Sequence, residues 1–176
     1  MIERIRAGVG NTVVFHHDGL REYTVNLNAE ETSMDSSAGQ NLDGATPLTR
    51  FIFDDTHHVL ADAPMIHLMG NENGLKANRT GGVIQTLAIG GAAVRPVELD
   101  ARRLGYTFAD RYADYCLLTG LLPGDTSKSR TDQACDCMTQ MAMALQHAGM
   151  AVTDITRTWF YLNNLLDWYD DFNRVR

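Results

Sequence analysis

The chain has 176 residues and a net charge of −7, with apolar residues at 44% and charged residues at 21%. That balance is ordinary for a globular protein of one domain, or of one domain and part of a second. The acidic charge and the lack of a basic block make nucleic acid an unlikely partner, no apolar run reaches the length of a membrane span, and residues 1–11 lack a signal-peptide core.

The cysteines, Cys116, Cys135 and Cys137, are odd in number, and the last two are too close on a helix to face one another. They read as reduced thiols of a cytoplasmic protein.

In chain order, residues 12–17 and 20–27 are strand-like runs separated by Asp18-Gly19. Asp-Gly accepts the positive φ angles of a tight type I′ turn, so a hairpin is expected. Tyr23, Val25 and Leu27 alternate with Glu22, Thr24 and Asn26, which implies one buried and one wet face. Residues 29–45 are polar and read as a long surface loop. Residues 49–53 form a short strand ended by Asp54-Asp55.

Glycines and Pro64 punctuate residues 56–82, where only 65–69 is an apolar run. Residues 70–76 lack the Walker spacing and the Ser or Thr after Lys76, so they read as a glycine-rich turn and not a phosphate loop. Residues 83–89 are a strand candidate closed by Gly90-Gly91. Pro96 and the charged run 98–103 mark an internal boundary, dividing a β-rich region, 1–97, from a second unit, 98–176.

Residues 107–112 and 115–119 form a second hairpin pattern around Ala113-Asp114, left abruptly through Gly120 to Gly124. Thr131 is placed to cap a helix running to about His147, with Ala134, Cys137, Met138, Met141, Ala142 and Leu145 as its apolar stripe and Gly149 as its stop. Residues 155–162, rich in β-branched and aromatic side chains, read as a strand. Asp167 then caps a last helix, with Trp168, Phe172 and Val175 on one face and Asp170 pairing with Arg174.

That order resembles the Rid family, also called YjgF and often described as endoribonuclease L-PSP or translation-initiation inhibitor. The resemblance rests on Gly105-Tyr106, on Thr119-Gly120-Leu121-Leu122-Pro123, on the helix from Gln133 to Gly149-Met150, on Asp154-Ile155 with the aromatic strand, and on residues 167–173 ending in Asn173. It covers roughly 104–176. The wording Thr158-Trp159-Phe160-Tyr161-Leu162 with Asp167-Trp168-Tyr169 is most similar to larger two-unit members of the chorismate-hydrolysing branch. In those proteins the first half is a worn Rid-like unit, so 22–27 and 49–55 would be remnants of its strands.

The resemblance implies an α+β fold: a Rid-like, chorismate-mutase-like mixed sheet with helices on one face. It also implies trimers or pseudo-trimers with pockets between units. The implied activity is hydrolysis of imines or enamines of small carboxylated metabolites, with no cofactor. The family's substrate-holding arginine and water-placing glutamate would fall beyond Arg176, so the C-terminal unit reads as incomplete and this chain alone is expected to turn over little substrate. What carries over is Tyr106 and Asn173 as pocket-lining positions and Thr119 and Gly120 at the pocket floor. The catalytic residues are not assigned. The alternatives are a non-catalytic Rid-like module that binds a small ligand, and a chorismatase-like hydrolase fragment. RNA cleavage is opposed by the charge.

Each residue also has a plainer reading. Tyr106 fits a strand-edge tyrosine, and Asn173 fits a solvent-facing position on a helix. His16-His17, His57-His58 and His67, with Asp54 and Asp55, invite a metal reading. Adjacent strand residues point to opposite faces, however, and no helical His-x-x-x-His occurs, so no metal site is expected. Cys135 and Cys137 lack Cys-x-x-Cys spacing. Met138, Met141 and Met143 read as packing, and Trp159 and Trp168 as core or interface.

Overall fold

The computed structural model describes residues 2–7, 10–28, 42, 44–53, 65–68 and 83–176. Within them nine strands and two α-helices make a mixed α+β fold. The first six strands are β1 (Ile2–Ala7), β2 (Gly10–His17), β3 (Leu20–Asn28), β4 (Thr46–Phe53), β5 (Met65–Leu68) and β6 (Val83–Gly90). They form one sheet in the order β1-β2-β3-β6-β4-β5, antiparallel except for the parallel pair β4–β5. A second sheet is antiparallel, in the order β7 (Arg95–Leu99), β8 (Arg102–Ala109), β9 (Asp114–Leu118). The helices are α1 (Arg130–His147) and α2 (Tyr169–Val175).

Turn chemistry sets the first hairpin. His17 pairs with Leu20, leaving Asp18 and Gly19 as a two-residue turn with φ of 46° and 85°, as the Asp-Gly signal requires. Tyr23, Val25 and Leu27 are buried, and Tyr23 faces Val14 on one neighbour and Ala88 on the other. The strands expected at 49–53 and 83–89 are both present, as β4 and β6.

A second cluster joins the sheets: Leu20, Leu48 and Ile89 of the first meet Tyr106 of the second. A third, of Val97, Leu99 and Leu104 with Ala144, seats α1 on the opposite face of the second sheet. Burying a side chain such as Leu104 contributes about 1.5–3 kcal/mol, so these two clusters set the order of layers.

Several expectations are corrected. The charged run at 98–103 is regular structure: Pro96 lies in β7, Asp100 and Ala101 turn with φ of 50° and 61°, and β8 follows at once. The sequence division at 97/98 therefore falls inside a strand. The β8–β9 turn is Asp110 to Ala113, closed by the Asp110 N–H donating to the Ala113 carbonyl, not Ala113-Asp114.

On α1 the cap is Ser129, whose Oγ accepts from the Asp132 N–H at 3.1 Å, because Thr131 is already inside the first turn. Ala144 is fully buried, whereas Ala142 is exposed. The helix ends as expected at Gly149, where the Gly149 N–H reaches Gln146 and the Met150 N–H reaches Leu145, the paired bonds of a Schellman motif.

The strand expected at 155–162 does not form. Those residues carry no regular structure, and Trp159 is 72% exposed. Strand composition is realised only against a paired neighbour, and among the described residues the second sheet consists of β7, β8 and β9. Asp167 closes a 3₁₀ turn, Leu165–Asp167, and its carboxylate lies 3.6 Å from Arg130 instead of capping α2. Arg174 pairs with Asp171, not with the Asp170 carboxylate. Phe172 is buried, with Phe160 and Trp168 edge-on to its ring.

The readings made for 29–45 and 56–82 lie outside the described residues, save for Leu42, Gly44, Ala45 and the backbone of β5, which contains His67. Among the described residues no helix is long and apolar enough to cross a membrane.

Candidate functional site

The residues that could hold a ligand are built around β8. A regular strand places residues two apart on one face. Here Leu104 packs beneath α1 while Tyr106 packs toward the first sheet. The cause is a β-bulge: Val97 pairs with Gly105 and Glu98 with Arg103, so Leu104 has no partner on β7. One extra residue reverses the alternation. It also puts Arg103 and Tyr106, three apart, on the same side.

Arg103 exploits that position. Its guanidinium carbon lies 5.7 Å from the Tyr106 ring centre, and Nη1 donates to the Tyr106 hydroxyl at 3.3 Å. Its Nε lies 3.6 Å from a Glu98 carboxylate oxygen. The bond to Tyr106, and secondarily the nearby Glu98, hold Arg103 more firmly cationic than usual. On the other side of Glu98, its backbone carbonyl meets His147 Nδ1 at 3.1 Å. Tyr106 itself is 5% exposed. It is a core tyrosine between sheets with one polar end, rather than a strand-edge side chain.

Thr119 follows β9. Its N–H donates to the Leu104 carbonyl at 2.8 Å, and the residue is 7% exposed. Its Oγ1 is buried and takes no hydrogen bond among the described residues. Gly120 next to it has a φ of 68°. Asn173 sits on α2 beside Phe172, and its Oδ1 is likewise buried without a partner among the described residues. A buried polar atom left unsatisfied costs about 1–3 kcal/mol, and neither group is the freely hydrated side chain that the plainer reading of Asn173 supposes.

Through the β8–β9 pairing the Thr119 N–H bonds to the Leu104 carbonyl, two residues before Tyr106, and Tyr106 itself pairs with Leu117. Asn173 comes from a separate element. Arg103 and Glu98 were missed by sequence reasoning, because only a bulge makes an i, i+3 pair neighbours on a strand. The run 98–103 held both residues, but its charge marked a boundary instead.

A second polar group joins the tips of two hairpins. The Asp110 side chain, 4% exposed, accepts from the N–H groups of Tyr112 and Ala113 and from the Tyr115 hydroxyl. The Tyr112 N–H, foremost, holds the Asp110 carboxyl below the usual carboxylate range, and the Tyr115 hydroxyl's own hydrogen bond to Asp110 raises Tyr115. His17 lies 3.5 Å from Asp18 and 3.9 Å from Asp110, and its ring stacks on Tyr112. Arg111 reaches Asp18 at 3.2 Å and also bonds the Tyr112 hydroxyl. Every ionic group here has a neighbour of opposite sign or a turn to cap, so the cluster reads as a clasp between sheets.

Cys116 and Cys137 are half-buried, and burial pushes both thiols up, while Cys135 is exposed. Among the described residues no group of three or more His, Cys, Asp or Glu side chains could hold a metal ion.

Compared with known proteins, the chain matches no family model, no curated protein and no solved structure.

Proposed function

We propose that this chain is a Rid-like module that binds a small carboxylated metabolite, with Tyr106, Thr119, Gly120 and Asn173 at the binding position. The observation that carries the reading is a pair of buried atoms, Thr119 Oγ1 and Asn173 Oδ1, that find no partner among the described residues. Polar atoms buried without partners mark places where a ligand, a bound water or a further subunit completes the structure. They fall on residues that the resemblance, drawn from sequence alone, assigns to a pocket. Neither a hydroxyl nor an amide titrates near neutral pH, so these two groups orient a ligand rather than move its protons.

In this reading the chain acts as a homo-oligomer, a trimer by the resemblance, whose further copies close the pocket. The direct test is thermal stabilisation by pyruvate, a stable relative of the carboxylated imines. Stabilisation that disappears in Thr119→Val and in Asn173→Leu supports the reading. No stabilisation up to tens of millimolar, or stabilisation unchanged in both variants, refutes it.

A second reading, hydrolysis of imines or enamines, is favoured by Glu98 beside Arg103 and Tyr106. A carboxylate so placed is the kind of group that directs water. Ammonia release from a freshly generated 2-aminoacrylate-type imine tests it. Turnover above background that is lost in Glu98→Gln supports hydrolysis, and a background rate leaves binding as the function.

A further inference from the structure

We infer that Arg103 is the carboxylate anchor of this site, with Glu98 as an internal stand-in for the ligand's carboxylate. The inference rests on the binding reading above and names the residue that would set its specificity for acids.

Three observations lead to it. The bulge at Leu104 turns Arg103 onto the face of Tyr106, so cation and phenol are held together by the strand itself. The two contacts described, to the Tyr106 hydroxyl and to Glu98, involve two of the five N–H donors of a guanidinium. The Arg103 side chain is also 44% exposed, so a solute can reach it.

The third is the nature of the Glu98 contact. It is a 3.6 Å approach between side chains that are 44% and 50% exposed. Exposed pairs of that kind are weak. A ligand carboxylate that engages the fork through two parallel N–H bonds is the stronger partner, and it displaces Glu98 at little cost. The Tyr106 ring behind the guanidinium limits its rotation, which lowers the ordering needed for binding. A lysine has no such fork and no stacking plane.

The test follows the side-chain Nε–Hε signals of the full-length chain by nuclear magnetic resonance, assigned by the loss of one signal in Arg103→Lys. Pyruvate is titrated at constant ionic strength, with pyruvamide as its neutral counterpart and chloride as the control anion. The Arg103 signal is expected to move saturably with pyruvate, and to respond to neither control. Arg103→Met is expected to weaken pyruvate binding about ten- to a hundred-fold, the loss of a charge-assisted hydrogen-bonded partner. Glu98→Gln, which removes the competing charge, is expected to tighten it about two- to fivefold.

The inference is overturned if the Arg103 signal ignores pyruvate, if chloride moves it equally, or if Arg103→Met binds as the parent does. Its failure is distinct from that of the binding reading. Pyruvate binding lost in Thr119→Val but intact in Arg103→Met sinks the anchor alone. An Arg103 response that persists in Thr119→Val and Asn173→Leu keeps the anchor and moves the site away from those two residues.

Discussion

Thr119→Val changes one atom of a buried side chain and asks a single question of it. Valine keeps the β-branched shape and replaces Oγ1 with a methyl group. In most proteins this exchange is destabilising, because a buried hydroxyl is bonded and its partner is left behind. Here Oγ1 has no partner among the described residues, while the Thr119 N–H keeps its backbone bond to Leu104 in either variant. The unsatisfied hydroxyl costs about 1–3 kcal/mol, and an apolar methyl in the same place removes most of that cost. For a chain of this size about 1 kcal/mol moves Tm by 2–4 °C. Thr119→Val should therefore raise Tm by about 2–10 °C in ligand-free protein while abolishing stabilisation by pyruvate. Thr119→Ala is the control: it also removes the hydroxyl but loses a buried methyl worth about 0.8 kcal/mol, so its gain should be smaller. The assay is calorimetry at neutral pH with and without pyruvate. A fall in Tm for Thr119→Val would mean that Oγ1 is already satisfied in the free protein, and the main support for the site would be gone.

Other outcomes follow from particular geometries. Ala101 sits at a φ of 61°, where a residue with a Cβ is strained by about 1–2 kcal/mol. Ala101→Gly should stabilise by roughly 0.5–1 kcal/mol after the greater unfolded-state freedom of glycine is subtracted, measurable by urea unfolding. Asp110, held below its ordinary range first by the Tyr112 N–H, contributes stability that is fully present above the unfolded value of about 3.9. That contribution is lost as pH falls through the lower folded value, so between pH 5 and 2.5 the parent should lose stability more steeply than Asp110→Asn. All three cysteines should titrate in denaturant without reduction. In the folded protein Cys135, which is exposed, should react first, and Cys116 and Cys137, half-buried with raised thiols, more slowly.

Elements with local causes were legible in the sequence. Asp18-Gly19 dictates its turn by chemistry alone, and the alternation of Tyr23, Val25 and Leu27 dictates which face is buried. β7 was hidden because Arg95, Pro96 and Glu98 outnumber the two buried positions, Val97 and Leu99. Its turn was hidden because alanine is no signal for a positive φ. The run 155–162 shows the opposite failure. Its composition suits a strand, but the fate of such a run depends on a partner strand that no local pattern reveals. The positions proposed for the site, 106, 119, 120 and 173, rest on residue identities alone. That Thr119 Oγ1 and Asn173 Oδ1 find no partner among the described residues is a property of packing, which no local pattern reveals.

One glycine links the fold to the proposed site. A Cβ on Gly105 would lie 2.0 Å from the Leu117 carbonyl oxygen and 2.9 Å from the Leu118 Cα. β8 and β9 approach so closely at this point that no side chain fits between them. The bulge occupies the same place, with Leu104 unpaired on one flank and Gly105 paired to Val97 on the other. A side chain at 105 would push the strands apart where the alternation is reversed, and two consequences follow together. Leu104 would lose its seat under α1, and Arg103 would lose its place over Tyr106. The Gly105-Tyr106 pair that first suggested a family resemblance thus has a physical role in this chain. The glycine permits the close approach beside the bulge, and the bulge sets a guanidinium against the tyrosine that follows.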